Sequence, residues 1–439
     1  MKKIIIIFAV IALAILGGFL YWKFGPPLPN LPIKLPFGQK GSVTLTVWGL
    51  WEEENLMKGV ILEYQKKHPE VSVNYERKSS ANYRSRSQTQ IKEGQGPDIL
   101  MIHNSWLPMF KSILASAPAG IFSQKEYQDT FYPVAFDSFV EDGQIYAAPM
   151  QIDGLALYYN EDLLNGVSGK VPQNWQEFIN IAVKMTVKDQ SGIKTAGAAM
   201  GTASNVDHFS DILGLLLLQQ PGVNMEDPTT TQAADVLRFY TNFILDPKKK
   251  TWDVNLPPST QMFSEGRLGF YFAPSWRAIE IRAANPNLKF KIASVPQLVG
   301  RQVGWASFWA FAVPSSSKNT QEAWQFIKFL TSQEAEKLAY QEAAKVRILG
   351  QPYSRVDLRD ELKADPWAGA FVSQGPIYKF WYLSSRTFDN GINDEMIKYW
   401  EDGVNATLQG QDPQSALQKV AKGVQQVLGK FNKLASPSP

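Results

Sequence analysis

Residues 146–160 read YAAPMQIDGLALYYN. From Gly154 onward the run GLALYYN is short and mostly apolar, with two tyrosines ahead of its last residue, Asn160, which is the length and composition of a β-strand. A single carboxylate, Asp153, stands just ahead of it. What kind of sheet takes this strand is decided by its neighbours. Upstream, VTLTVW (residues 43–48) is β-rich, and the next segment carries Met57, Val60, Ile61 and Tyr64 at helical spacing up to Lys67. VSVNYE (71–76) alternates as a strand, and PDILMI (97–102) is a short buried strand after a Gly-rich turn. Strand, helix and strand in that order predict βαβ units with helices on both faces of a sheet. Downstream, RLGFYFA (267–273) reads as another strand and NWQEFINIAVKM (174–185) as a helix opened by Asn174 with Glu177 three residues on. Ala323, Phe326, Ile327 and Leu330 form one face of a further helix, and Thr331 with Glu334 predicts the start of the next. Near the C-terminus, Asp412 and Pro413 form an N-cap and N1 pair ahead of the apolar face Ala416, Leu417, Val420, Val424, Val427 and Leu428.

The chain has 439 residues, long enough for two or three domains. A hydrophobic content of 44% with 19% charged residues is globular, and a net charge of +3 implies no basic surface for nucleic acid. The absence of cysteine excludes disulfides, thiol nucleophiles, cysteine-held metals and an N-terminal lipidated cysteine. Lys2 and Lys3 precede an uncharged run from Ile4 to Trp22 that would span roughly 28 Å as a helix, close to a bilayer's hydrocarbon thickness. Its only small-x-small site, Ala12 to Ala14, lies inside the run, so an uncleaved anchor is expected over 1–23 with a cleaved signal as the alternative, and the rest of the chain outside the cell membrane. Residues 24–40 hold five prolines and read as an extended tether.

Catalytic signatures are missing. The three histidines, His68, His103 and His208, are scattered, and there is no HExxH, P-loop or GxSxG. No metal or cofactor is expected. Carboxylates are plentiful, and Glu52 with Asp153 would be the pair for a glycosidase.

Six segments in fixed order then carry a family resemblance: VTLTVWGLW (43–51), GQGPDILMIHNSW (94–106), GQIYAAPMQIDGLALYYNEDLL (143–164), VPQNWQEFINIA (171–182), FSEGRLGFYFAPSW (263–276) and the long segment from Ser307 to Ala339. Together they resemble the extracellular solute-binding proteins of carbohydrate ABC importers, the group that includes maltose-binding protein. The resemblance covers most of residues 43–430. It implies a two-lobed α/β fold of the periplasmic-binding-protein type (type II), with hinge crossings between the lobes and closure on ligand. The implied first lobe is 41–152 plus 306–360, and the second is 153–305 plus 361–435. The implied partners are a saccharide and ABC permease subunits, and the chain is expected to act as a monomer without catalysis. A sensory ectodomain, a surface glycosidase, or a receptor for a peptide or phosphorylated polyol remain alternatives.

The resemblance also places ligand contacts. Trp51 and Glu52 follow the first strand, and His103, Asn104 and Ser105 follow the third. Asp153, at the first crossing, is the expected hydroxyl acceptor or else a structural hydrogen-bonder in the hinge. Trp276 is the expected stacking platform, with Arg277 beside it, and Trp381 is a further candidate. In GWASFWAFAV (304–313), Gly304 and Trp305 should lie at the crossing back to the first lobe, with Trp305 facing ligand. Phe308, Trp309 and Phe311 should pack in a strand from Phe308 to Val313, and Trp48 in the core.

Overall fold

The computed structural model describes residues 43–432. The anchor expected over 1–23 and the tether over 24–40 lie outside the described residues. Among the described residues no helix is long and apolar enough to cross a membrane.

The chain opens with β1 (Val43–Gly49), β2 (Val71–Arg77) and β3 (Ile99–His103), then β4 (Leu114–Ala115), the β5 (Val140–Glu141) and β6 (Gln144–Ile145) hairpin, and β7 (Ala147–Ala148). It crosses to a second sheet made of β8 (Ala156–Asn160), β9 (Val187–Asp189), β10 (Gly192–Ala198), β11 (Leu268–Ala273) and β12 (Phe290–Ala293). It returns through β13 (Gly304–Trp305) to β14 (Trp309–Pro314), and β15 (Tyr378–Lys379) pairs with β13 in parallel. The first sheet has the order β2-β1-β3-β14-β4, with β7 on β14; the second has the order β12-β8-β11-β10-β9.

In the first sheet β1 runs parallel to both β2 and β3, in the registers Val43↔Val71 and Val47↔Ile99. Strand β14 is the exception: it lies antiparallel to β3, with Trp309 opposite His103 and Phe311 opposite Met101. Leu45, Val47, Ile99, Leu100 and Ile102 are fully buried, and the helix Glu54–Lys67 covers one face with Met57, Val60, Ile61 and Tyr64. The second sheet is covered more completely. Every residue of β11 is buried, so its sequence shows no alternation, as expected of a strand with protein on both faces. Trp175 and Phe178 of the helix Trp175–Met185 pack on Phe270 and Phe272 of that strand.

Three segments pass between the sheets side by side. Leu155 N donates to Trp305 O (2.8 Å), Ser307 N to Asp153 O (3.1 Å) and Ala306 N to Lys379 O (2.8 Å). The approach is so close that a Cβ on Gly154 would lie 2.1 Å from the Trp305 carbonyl oxygen and 2.8 Å from the Tyr378 ring.

Local details refine the sequence reading. The strand expected over 97–102 is shifted to Ile99–His103, and that from Phe308 starts at Trp309 because the Phe308 N–H donates to the Asn104 side-chain Oδ1 (3.1 Å) rather than to its backbone carbonyl. The helix expected at Thr331 is capped instead by Ser332, whose Oγ accepts from Ala335 N (3.2 Å), while Thr331 Oγ1 turns back to the preceding helix. Asn174 caps its helix through Glu177 N, and Asp412 accepts from Ser415 N (3.0 Å). Trp48 is buried in the core, with the Lys78 ammonium 4.6 Å from its ring.

Candidate functional site

A cleft of about 460 Å³ opens where the three crossing segments meet the two sheets. Its walls come from the carboxyl ends of strands, the general location of ligand crevices in α/β sheets. Trp51 follows β1, His103 ends β3, and Ser275 and Trp276 follow β11. Asp153 and Gly154 form the floor at the first crossing.

On the first wall Trp309 is the centre of an aromatic group. Its ring meets Trp51 edge-on at 5.5 Å, His103 at 5.2 Å and Trp106 at 4.9 Å. Trp51 itself is 39% exposed, a large apolar surface held open to solvent. His103 is buried, with Nδ1 on Ser105 Oγ (2.7 Å) and Nε2 on Ser307 Oγ (3.0 Å). Burial pushes its pKa down to about 3, so the ring is neutral and serves as a hydrogen-bonding strut. Glu52 is held by Arg347, Oε1 to Nη2 at 3.1 Å.

On the second wall a buried polar network surrounds Asp211, in the first turn of the helix Phe209–Gln219. Its Oδ1 accepts from Trp305 Nε1 (2.8 Å) and Ser385 N (3.2 Å), and its Oδ2 accepts from Ser385 Oγ and meets His208 Nδ1 (3.2 Å). Arg277 Nε donates to His208 Nε2 (3.2 Å). A guanidinium cannot accept, so Nε2 carries the lone pair and Nδ1 the proton; burial lowers this histidine's pKa and keeps it neutral. Arg277 also pairs with Glu280, and its guanidinium lies 4.3 Å from the Trp276 ring.

Asp153 is the pivot of the floor. Gly154 N (2.8 Å) and Ser275 N (3.0 Å) donate to its Oδ1, and Ser275 Oγ (2.8 Å) to its Oδ2. Burial dominates these bonds and raises its pKa to about 7.

The structure brings Trp51, Glu52, His103, Asp153, Trp276 and Arg277 to the cleft. The other four expected residues stand differently. Trp305 borders the cleft but is fully buried, its ring pressed on the helix Phe209–Gln219, where a Cβ on Gly214 would lie 2.3 Å from it. With its N–H given to Asp211, it presents no open face for stacking. Asn104 is buried and its Oδ1 accepts from Phe308 N (3.1 Å). Ser105 is buried between His103 and Asn393 Nδ2 (2.7 Å). Trp381 packs on Tyr382 (5.0 Å) away from the cleft lining.

Trp309, expected to pack, is instead half-buried on the cleft wall: it is the first residue of its strand, beyond the point where helices cover the sheet. Asp211, His208, Arg347, Arg386 and Phe388 also line the cleft without having been singled out as site residues. One of these had a signal in the sequence. Asp211 is a lone carboxylate ahead of the run ILGLLLL (212–218), and such a group must be either paired or functional. Phe388 had none, because what exposes it is a left-handed backbone (φ 53°), with Arg386 likewise at 59°.

Residues 50–337 match the family model described as bacterial extracellular solute-binding protein. A binding protein of Brucella abortus is 23% identical over 273 residues, covering 61% of this chain and 66% of that protein's length. The maltotriose-binding protein of Pyrococcus abyssi is 22% identical over 308 residues, 66% of this chain and 63% of the relative. In three dimensions the fold is similar to that of the sugar-binding protein of Xanthomonas citri, with a TM-score of 0.71 and 18% identity over 90% of this chain and all of that one. The two α/β sheets, the crossings between them and the match over most of the chain lead to one conclusion: the chain belongs to the family of bacterial extracellular solute-binding proteins.

Proposed function

We propose that this protein captures a sugar or oligosaccharide in the cleft and delivers it to the permease subunits of an ABC importer, with no catalysis of its own. The observation that carries this reading is the pairing of tryptophans that reach the cleft, exposed at Trp51 and half-buried at Trp309 and Trp276, with fixed polar groups on both walls. Sugars offer apolar C–H faces and a rim of hydroxyls, and Trp51, Trp309 and Trp276 suit the first while Asp153, Glu52, Arg347 and Arg277 suit the second. Lobes of 41–152 plus 306–360 and 153–305 plus 361–435 would close about the three crossings, because a ligand gains contacts with both walls only when they approach. A glycosidase role for Glu52 and Asp153 is disfavoured: Glu52 is held by Arg347, and Asp153 already accepts three hydrogen bonds.

In this reading the 1–23 segment is a single-pass anchor, 24–40 holds the receptor off the membrane, and the receptor acts as a monomer outside the cell membrane. The test is a panel of saccharides, polyols and small peptides against the purified protein, read by thermal stabilisation and calorimetry, with small-angle scattering for closure. A saccharide should raise the melting temperature, increasingly with the logarithm of its concentration above the dissociation constant, and contract the particle. Stabilisation by a peptide or polyol alone would overturn the carbohydrate reading. Release of shortened saccharides during incubation would overturn the non-catalytic one.

A further inference from the structure

We infer that the cleft is matched to an uncharged saccharide and rejects acidic ones. The inference rests on the carbohydrate reading above and adds the charge class of the ligand. Three arginines line the cleft, and each has its own carboxylate: Arg347 with Glu52 (3.1 Å), Arg277 with Glu280, and Arg386 with Asp207 (2.7 Å). No lysine is among the described lining residues. Both lining histidines are held neutral by burial.

Helix N-termini are the other common seat for an anion. Two helices begin on this cleft, and each has a carboxyl group of the protein itself beside its start. The Asp153 carboxylate accepts from the backbone and hydroxyl of Ser275, the N-cap of the helix Trp276–Ala284. Asp211 occupies the first turn of the helix Phe209–Gln219. An acidic sugar or a sugar phosphate would therefore meet the Asp211 carboxylate and find the donors of Ser275 already given to Asp153, against cations that are already paired. Arg277 keeps one donor, Nη2, without a partner. That nitrogen is itself buried, and the cationic charge is shared with Glu280 and lies against the Trp276 ring, so little of it is open to an acidic group in the cleft.

The test is calorimetry of the full chain with three sets of oligosaccharides of matched length. The first is neutral gluco-, manno-, galacto- and xylo-oligosaccharides, the second oligogalacturonates, and the third amino-sugar oligomers. At least one neutral oligosaccharide should bind, with an affinity that salt leaves nearly unchanged. The oligogalacturonates should bind at least about a hundredfold more weakly. Comparable or tighter binding of an oligogalacturonate, or tighter binding of an amino-sugar oligomer than of every neutral one, would overturn this inference and leave the saccharide receptor standing. Failure of all three sets would overturn the receptor reading, and this one with it. Glu52→Gln and Glu280→Gln each free one arginine, and in at least one of them oligogalacturonate affinity should rise about tenfold and fall again with added salt. No gain in either folded variant would overturn the assignment of those pairs as the charge filter. If neither variant folds, the comparison of ligand sets in the parent protein decides.

Discussion

Replacing Trp305 by alanine separates a ligand contact from a structural bolt. The side chain is fully buried, its six-membered ring lies against Gly214, and its N–H is held by Asp211 at 2.8 Å. Removing a buried tryptophan costs about 3–5 kcal/mol through lost burial and the cavity left behind. The Asp211 carboxylate also loses a donor, which places the loss at the upper end of that range. Trp305→Phe keeps most of the ring contact over Gly214 and deletes only the donor, so about 1–3 kcal/mol is expected. Urea unfolding of both variants and the parent measures these differences directly. Ligand affinity should fall in both variants as well, indirectly, because Asp211 also holds Ser385 at the start of the loop that carries Arg386 and Phe388. A double-mutant cycle between Trp305→Phe and Ser385→Ala should therefore be non-additive in binding. If Trp305→Ala unfolds within about 0.5 kcal/mol of the parent while affinity collapses, the ring faces ligand and the account of it as a bolt is wrong.

The neighbouring tryptophans should behave in the opposite way. Trp51→Ala should cost under about 1 kcal/mol of stability, because the side chain is largely exposed, yet weaken saccharide binding at least about tenfold by calorimetry. Trp309→Ala should weaken binding and also cost about 2 kcal/mol, because its ring supports Trp51, His103 and Trp106 together. Asp153 gives a pH signature. Its midpoint is near 7 in the folded protein against 3.8 in the unfolded chain, so the folded state holds the extra proton between those values. Stability should therefore fall as pH rises from about 4 to about 7, by up to about 4 kcal/mol from this group, and level off above. Asp153→Asn should remove that slope in denaturation curves taken across the range; an unchanged slope would assign it to other groups. Gly154→Ala should disturb the crossing, since its Cβ would meet the Trp305 carbonyl at 2.1 Å; scattering should show an altered opening of the lobes, or unfolding should show a loss of several kcal/mol.

The fold was legible because its signals are periodic and local. Alternating or continuous apolar strands, helices with a clear inner face, and caps such as Asn174 and Asp412 need only a few consecutive residues to be read. Boundaries slipped where a long-range partner decided them. Asn104 takes the Phe308 backbone across 204 positions of sequence and so moves the start of β14. The Ser332 cap differs from Thr331 by one residue because Thr331 Oγ1 finds a better acceptor in the Ile327 carbonyl of the preceding turn.

The cleft was legible only in part, for a different reason. Sequence marks which residues can stack or accept, but the rank of a tryptophan depends on which surface its strand meets. Trp305 and Trp309 lie four residues apart in one aromatic stretch, and the structure buries the first while it leaves the second half-buried on the cleft wall. The hinge crossing leaves Trp305 beside a glycine on a buried helix, with a carboxylate placed to take its N–H. β14 begins at the sheet's edge on the cleft, so its first side chain, Trp309, reaches past the covering helices, while Phe311 two residues on is buried. Alternation alone gives these two side chains the same face; only the position of the sheet's end distinguishes a wall of the site from a part of the core. The same logic applies to Asp153. The family resemblance marked it as a hydroxyl acceptor or else a structural hydrogen-bonder in the hinge, and the structure adds three hydrogen bonds from Gly154 and Ser275. A carboxylate so held is first a tie between the hinge and the helix bearing Trp276, and any ligand it meets must do so through the lone pairs those donors leave.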